Sequence, residues 1–442
     1  MKDGEHEPGL KRNISLFQAV MYGVGLILGA GIYVLIGDIA AIAGNAMWMS
    51  FVIAAIIAAF TGISYAELSS MFPKSAAEYV FVKNAFKNNF GAFIAGWLIT
   101  FAAIASAAAV AIGFSGYLAG LFPQLDPVLS AVSLVIALSL INLVGIRESI
   151  WMNTTFTIIE LAGLAIVVVG AVLLGSFYGV DYNEMPAAAS ASLSLSVGAI
   201  LGAAGLAFFA YFGFENLANI AEETKNPSKN IPKALIISIA TATAIYILIA
   251  ISAIALVGWE ELSSADAPLA LAAGKVFGSS GGLALSAIAL FATSNTVLMM
   301  LVAGSRIMFG MSKERALPAA LARVHPSRKT PWISVVFTML ITIVLVVLSR
   351  GSISTVANIA VFVIFIVYAL VNLALIWLRY KQPELDRPFR SPVSIRWFPI
   401  LAGLGFLTSL AMLTQFDIST VLAGGVAIAS GMAAFVMMGR KT

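Results

Sequence analysis

The stretch that decides the fold is GLILGAGIYV, residues 25–34, in the first long apolar run of the chain. It places Gly25, Gly29 and Gly31 where a membrane helix favours helix-forming residues. Each glycine costs about 1 kcal/mol in a helix interior relative to alanine. Two explanations fit this cost: another helix packs closely against the glycines, or the helix breaks at this point.

The composition identifies the chain as an integral membrane protein. Of its 442 residues, 60% are hydrophobic and only 10% are charged, whereas a soluble protein of this length needs a far more charged surface. The chain has no cysteine, and its two histidines, His6 and His325, have no metal-ligating neighbours in the sequence. We therefore expect neither a bound metal nor a cofactor.

Twelve apolar stretches each reach the length that a helix needs to cross a bilayer, about 17–25 residues. They lie at about 14–43, 46–72, 90–122, 128–146, 150–175, 195–221, 234–257, 281–311, 332–349, 353–379, 396–414 and 418–438. The first is too long for the core of a signal peptide and has no convincing cleavage site, so we expect it to remain in the mature protein.

The positive charges are divided unequally between the two sides of the membrane. Of the 25 lysines and arginines, 22 fall on the side of the N-terminus, and Arg306 lies near the end of the eighth stretch on that same side. Only Lys275 and Arg350 fall on the other side. Cytoplasmic loops are enriched in positive charge, so both termini are predicted to be cytoplasmic. This distribution explains the net charge of +4 without nucleic acid as a partner.

Two of the apolar stretches are interrupted near their middle, and each begins a group of five. The second interruption is FFAYFGFE, residues 208–215. Because five is an odd number, the second group is inverted relative to the first, and paired interruptions in inverted halves indicate the binding site of a transporter. The predicted organisation is one transmembrane domain with a first repeat at 14–176, an inverted second repeat at 195–380 and two extra helices at 395–438.

Four segments together resemble the amino acid–polyamine–organocation superfamily, over essentially the whole chain. They are GLILGAGIYV (25–34), YAELSSMFPKSAAEYVFV (65–82), FFAYFGFENLANIAEETKNPSKNIPKA (208–234) and AGSRIMFGMSKERALP (303–318). The resemblance implies an all-α membrane fold of the leucine-transporter type, with five plus five inverted helices around an amino acid at mid-membrane. It also implies a secondary active transporter in the cytoplasmic membrane of the cell.

An interrupted helix offers a site for the backbone of an amino acid. It leaves unpaired N–H groups at the start of one half-helix and unpaired carbonyls at the end of the other, both costly in hydrocarbon. A substrate carboxylate suits the N–H groups, where the helix dipole is positive, and an ammonium suits the carbonyls. The expected carboxylate site is at Gly29, Ala30 and Gly31, and the expected ammonium site is at Ile27, Phe209, Ala210 and Phe212.

The walls of the predicted pocket are apolar. Ser106 is one of few polar side chains in the third stretch, and Phe209 resembles the aromatic residue that closes over the substrate in relatives. The third and tenth stretches offer no acidic group to receive a cationic side chain. A neutral amino acid, small or apolar, is therefore favoured over arginine or a polyamine.

Two acidic residues lie deep in the apolar stretches, and both are candidates for proton coupling. Glu160 comes about eleven residues, or about 16 Å, into the fifth stretch, and Glu215 follows the second interruption. A buried ionised carboxylate is costly, so each is expected to be neutral part of the time or firmly hydrogen-bonded. Proton-coupled relatives often have a lysine at the position of Glu160, and this chain departs from that pattern.

Each acid also has a structural alternative. For Glu160 the alternative is a protonated carboxyl that bridges two helices, and for Glu215 it is hydrogen bonds to backbone N–H groups of the unwound segment. An enzyme is disfavoured because these two acids have no histidine, cysteine or aspartate partner. A channel is disfavoured because no rings of polar residues are evident, and a nutrient sensor because no large soluble domain is present.

The leading interpretation is a proton-coupled symporter of neutral amino acids embedded in the lipid bilayer. An amino-acid exchanger and a carrier of cationic amino acids or polyamines remain open as alternatives. The sequence also leaves sodium coupling and the oligomeric state open.

Overall fold

The structure is a computed structural model that describes residues 14–74, 76–144, 149–221, 224–326, 328, 330–349 and 351–439. Within these ranges, the side chains of Ala30 and of residues 149–152 and 439 are not described. His6 and Arg350, two residues used in the sequence analysis, lie outside this described part.

The described residues form sixteen α-helices and one small sheet. The helices are α1 (Leu16–Ala43), α2 (Met47–Met71), α3 (Ala77–Phe86), α4 (Asn89–Leu121), α5 (Pro127–Val144), α6 (Ser149–Leu173), α7 (Ala187–Ser190), α8 (Leu193–Tyr211), α9 (Asn216–Asn219), α10 (Pro227–Val257), α11 (Trp259–Ser264), α12 (Pro268–Lys313), α13 (Trp332–Leu348), α14 (Ile353–Lys381), α15 (Ile400–Leu413) and α16 (Ile418–Gly439). Strands β1 (Ser394–Ile395) and β2 (Phe398–Pro399) pair antiparallel, and 3-10 turns lie at Gly44–Ala46 and Ala319–Ala322.

Nine stretches of the described residues are long and apolar enough to cross a membrane, judged by length and composition. The first of them, Leu16–Met71, contains both α1 and α2, while Trp332–Leu348 and Ile400–Leu413 are shorter apolar helices. Helices are the form that such sequences take in hydrocarbon because a helix satisfies its own backbone N–H and carbonyl groups.

The helices that carry the interruptions lie at the centre of the bundle. Helix α1 packs against α8, α10 and α12, and α4 packs along α12 and α14. In contrast, α5, α13 and α16 expose large apolar side chains, among them Leu129, Leu340 and Leu422, as lipid-facing helices do. The interruptions are therefore surrounded by protein.

Both interruptions that the sequence predicts are present. In α1, Gly29 has φ −10° and ψ −125°, outside the helical region, with helix on both sides of it. Helix α8 ends at Tyr211, and α9 begins only at Asn216. Between them Gly213 has φ +127°, a backbone conformation that favours glycine. The second helix therefore breaks within FFAYFGFE.

The glycines of α1 also allow neighbouring helices to approach closely. A Cβ atom on Gly25 would lie 2.1 Å from Oγ1 of Thr157 in α6, and one on Gly29 would lie 2.0 Å from Oγ1 of Thr296 in α12. Real side chains do not come so close. Both explanations of the glycine pattern therefore hold: Gly29 breaks the helix, and Gly25 and Gly29 permit close packing.

Candidate functional site

The two breaks are in direct contact. A Cβ atom on Gly31 would lie 2.3 Å from the Cα atom of Ala210 and 2.7 Å from its Cβ atom. The second half of α1 therefore rests on the backbone of α8 at the point where α8 ends. Only glycine at position 31 permits this spacing, which fixes how far apart the two unwound segments lie.

A tyrosine joins carbonyl groups from both breaks. The hydroxyl of Tyr246, in α10, lies within hydrogen-bond distance of the carbonyl oxygen of Ile27 and donates at 2.7 Å to the carbonyl oxygen of Ala210. A hydroxyl carries one proton, so the two oxygens share a single donor. Both oxygens are among the ammonium ligands predicted from the sequence, whereas Tyr246 is not among the predicted residues. The available signal was one phenol in the middle of the apolar run TATAIYILIA, residues 241–250.

The other predicted substrate residues have different environments. The carbonyl of Phe209 accepts the N–H of Phe212 at 3.2 Å, so it is used inside the turn, and both side chains are buried. Ser106 is buried in α4, and no hydrogen bond links it to either break in the described residues. For Ala30 only the backbone is described, as part of α1. Hydrogen-bond contacts therefore bring the carbonyls of Ile27 and Ala210 to the hydroxyl of Tyr246. No such contact connects Ser106 to this hydroxyl in the described residues.

Glu160 is a buried acid whose carboxyl group accepts no hydrogen bond from the described residues. Its side chain is 1% exposed, and neither carboxyl oxygen has a hydrogen-bond partner among the described residues. Its backbone carbonyl accepts the hydroxyl of Tyr33, a residue of α1 just beyond the break, at 3.1 Å. The described contacts therefore do not include the carboxyl bridge between helices that was the structural alternative for Glu160.

Glu215 is the opposite case, because its carboxyl group receives three hydrogen bonds. The N–H of Gly213 donates at 3.0 Å, the side-chain amide of Asn216 at 3.0 Å and the hydroxyl of Tyr368, in α14, at 2.8 Å. Through these contacts Glu215 holds the unwound segment in which it lies and connects that segment to α14. The backbone N–H of Gly213 is a donor of the kind that the structural alternative for Glu215 expects.

A cavity of about 630 Å³ lies beside the C-terminal half of α1. Its lining includes Val34 and Asp38 from α1, Ile112 and Ser115 from α4, and Asp266 from the segment before α12. Val34 is three residues beyond Gly31, or about 4.5 Å along a helix. The cavity therefore extends to within about one helical turn of Gly31, the residue at which α1 contacts Ala210 of α8.

The opposite end of the bundle is closed by a buried ion pair. Glu67, near the end of α2, accepts hydrogen bonds from Nε and Nη2 of Arg379 in α14, the first at 2.8 Å. The N–H of Ser391 donates to the same carboxylate at 2.8 Å. Nearby, Ile14 pairs with Thr224, which connects the chain before α1 to the chain after α9.

The known proteins that are similar to this chain are permeases and transporters. The family described as amino acid permease matches residues 14–439. The branched-chain amino acid permease BcaP of Bacillus subtilis is 30% identical over 459 aligned positions, covering 98% of this chain and 94% of that protein. The methylthioribose transporter of the same organism is 28% identical, covering 94% and 92%.

A human relative, cationic amino acid transporter 4, is 28% identical to this chain, and the aligned region covers 75% of this chain and 54% of the human protein. The relatives thus carry names of different substrates, while the family match spans nearly the whole sequence. With its long apolar helices, this chain belongs to the amino acid permease family of the amino acid–polyamine–organocation superfamily, as a multi-pass transporter of the cell membrane.

Proposed function

We propose that this permease is a proton-coupled symporter that takes up neutral amino acids by alternating access. The meeting of the Ile27 and Ala210 carbonyls at one point, the hydroxyl of Tyr246, carries this proposal. Two carbonyls from different interrupted helices suit a group that donates several hydrogen bonds, as an ammonium does. The N–H groups around Gly29 and Gly31 are the corresponding site for the carboxylate.

The proposed architecture has twelve crossings with both termini in the cytoplasm. Residues 14–176 form the first repeat, residues 195–380 the inverted second repeat, and residues 395–438 the two extra helices. The unequal distribution of lysine and arginine supports this orientation, and the interruptions of α1 and α8, each at the start of a proposed repeat, support the inverted symmetry.

In this orientation the cavity beside Val34 faces the outside, and the Glu67–Arg379 pair closes the inside. Substrate would reach the breaks from the outer cavity. Inward opening would then require the contacts at the cytoplasmic end to separate while the outer cavity closes. Alternating access requires that one end of the protein is closed whenever the other end is open.

The proposal of a neutral substrate is supported by the apolar surroundings of the breaks. Phe209 and Phe212 are buried there, and Glu215 is already engaged by three donors. The relative that is named for branched-chain amino acids also aligns over 98% of the chain. An apolar side chain would fit such walls without leaving a charge unpaired.

Glu160 is the proposed coupling residue. A carboxyl group that is buried and without hydrogen-bond partners is stable when protonated and costly when ionised, unless water or a cation reaches it. Opening of the protein to one side would supply that water, so the group would bind a proton from one side and release it to the other. Its contact with Tyr33, just beyond the first break, would link this change to the substrate site.

A carrier of cationic amino acids is the second candidate, and the same residue favours it. If Glu160 stays ionised, the cationic side chain of a bound lysine or arginine could pair with it. The name of the human relative, cationic amino acid transporter 4, points in the same direction. The two candidates differ in whether Glu160 carries a proton or receives the substrate.

Uptake into liposomes that contain the purified protein separates these possibilities. Labelled leucine, alanine, lysine, arginine and putrescine would be tested with an acid-outside gradient, with a sodium gradient, with unlabelled amino acid inside, and with none of these. We expect leucine or alanine to accumulate under the acid-outside gradient alone. A requirement for internal amino acid would indicate an exchanger, a requirement for sodium would contradict proton coupling, and preference for lysine or arginine would favour the cationic carrier.

A further inference from the structure

A second buried carboxyl group lies near Glu215, in a part of the chain that is not an apolar stretch. Glu78 is in the first turn of α3, a ten-residue helix, and its side chain is fully buried. Its Oε1 atom accepts the hydroxyl of Tyr65 at 3.1 Å, and no hydrogen bond reaches its Oε2 atom in the described residues. No lysine or arginine among the described residues forms an ion pair with Glu78.

Aromatic side chains pack Glu78 and Glu215 into one cluster. Tyr65 donates to Glu78, and Tyr368 donates to Glu215 at 2.8 Å. The rings of these two tyrosines meet edge to face with centroids 5.8 Å apart, and the ring of Phe214 packs against both, at 5.8 and 5.4 Å. We call Glu78, Glu215, Tyr65 and Tyr368 the two-carboxyl cluster.

The backbone also ties α3 to the second break. The N–H of Ala77 donates at 2.9 Å to the side-chain oxygen of Asn219, the last residue of α9. Glu78 therefore lies next to Glu215, which holds the unwound segment, and next to α9, the short helix that follows this segment. No comparable connection joins Glu78 to Glu160 in the described residues.

Among the described residues, the groups that interact with Glu78 include no cation. They are Tyr65 from α2, Glu215 from the segment between α8 and α9, Asn219 from α9 and Tyr368 from α14. The pKa of Glu78 is raised to about 8, first by burial and further by the charge of Glu215, while hydrogen bonds, first of all to its own backbone, lower it. Two acids in one cluster without a cation are not ionised together at low cost.

We propose that Glu78 is a second proton-binding residue of this transporter, which releases its proton to the cytoplasm and whose charge acts on Glu215. This proposal rests on the proposed function, because it requires proton coupling and a cytoplasmic position for α3. When Glu78 is protonated, ionised Glu215 keeps its three donors and holds the second break. When Glu78 loses its proton, the negative charge of Glu215 becomes unfavourable, and the contacts that close the break weaken.

The test measures how uptake depends on the pH inside the liposomes. Initial uptake of labelled leucine is followed at one fixed external pH, while the internal pH is varied from 6 to 9.5. Wild type is compared with Glu78→Gln, and with Glu314→Gln as the matched control. Glu314 pairs with Lys83 on the same helix α3, but this pair is largely exposed and outside the cluster.

For wild type we expect uptake to rise with internal pH around 8, roughly tenfold between pH 7 and 9, because the ionised fraction of a group with a pKa of about 8 changes by that factor. Glu314→Gln should behave like wild type. Glu78→Gln should lose the rise near pH 8, although the pH gradient is the same. A merely structural role of Glu78 would lower uptake at every pH without removing this rise.

The outcomes separate the proposal about Glu78 from the proposed function. If wild type does not respond to an acid-outside gradient, proton coupling fails and the role of Glu78 fails with it. If wild type responds and Glu78→Gln keeps the same internal-pH profile, only the role of Glu78 is overturned. If Glu78→Gln does not insert into the membrane, Tyr65→Phe is tested instead. This variant removes a hydrogen bond that lowers the pKa of Glu78, so the midpoint of the internal-pH profile should move upward. An unchanged midpoint overturns the proposal.

Discussion

The hydroxyl of Tyr246 donates to the carbonyl oxygen of Ala210 at 2.7 Å, at the point where α8 ends in the middle of the bundle. The same hydroxyl reaches the carbonyl of Ile27, before the break in α1. A third helix, α10, thus supplies one donor that reaches a carbonyl oxygen from each of the two interrupted helices. An ammonium that entered this point would compete with the phenol for the same two oxygens.

Tyr246→Phe is expected to lower the thermal stability of the permease and to increase its stabilisation by substrate. Removal of the hydroxyl takes the shared donor away from two buried carbonyls, at a cost of about 1–3 kcal/mol. A substrate ammonium would repair this defect, so the increase in Tm on addition of leucine should be larger than in wild type. Thermal unfolding in detergent, with and without leucine, measures both effects.

The matched control is Tyr117→Phe, since the buried hydroxyl of Tyr117 donates to the carbonyl of Tyr33 at 2.7 Å, away from the contact with Ala210. It should lower Tm without increasing the effect of leucine. If the two variants gain equally from leucine, the carbonyls of Ile27 and Ala210 are not ammonium ligands.

Gly31→Ala is expected to destabilise the protein and to weaken substrate binding. The new methyl group would lie 2.3 Å from the Cα atom of Ala210, and backbone atoms cannot rotate away as a flexible side chain can. Overpacking of this kind costs about 1–3 kcal/mol. Gly202→Ala in α8 is the control, because a Cβ atom there meets nothing within 4 Å. Equal stability and binding in the two variants would show that the breaks are not in contact.

Glu160→Gln is expected to separate binding from coupling. Glutamine resembles the protonated acid at nearly constant volume, so the variant should bind leucine and exchange it, yet not accumulate it under an acid-outside gradient. The measurement is uptake into liposomes at matched protein content, with Glu261→Gln, an exposed acid of α11, as the control. Accumulation by Glu160→Gln in response to the gradient would exclude Glu160 as the coupling residue and leave Glu215 as the next candidate.

Glu67→Gln is expected to be strongly destabilising, whereas Glu314→Gln should have little effect. The first substitution leaves the buried guanidinium of Arg379 and the neighbouring Arg387 without the carboxylate that they share, which costs about 3–5 kcal/mol. An exposed pair such as Lys83–Glu314 contributes at most about 1 kcal/mol. Unfolding in denaturant measures both values. The double variant Glu67→Gln, Arg379→Met should recover part of the loss, and an additive loss would contradict a direct interaction.

The sequence predicted the features that depend on local composition. Apolar stretches of span length are visible one by one, because the cost of burying polar groups in hydrocarbon acts on each segment separately. The two breaks were also predictable, since Gly29 and Gly213 stand where a continuous helix would not place them. The family match agrees with the four motifs, which carry the family resemblance along the whole chain.

The tertiary structure decided which groups meet. Glu160 and Glu215 look alike in the sequence, yet one has no hydrogen-bond partner in the described residues and the other has three, one of them Tyr368, 153 positions away. Tyr246 reaches an oxygen 219 positions away. Glu78 lies in a short helix of mixed polarity, and its burial depends on the helices that cover it. Hydrophobicity and helix breaks are local properties, whereas the partner of a hydrogen bond is set by how distant helices pack.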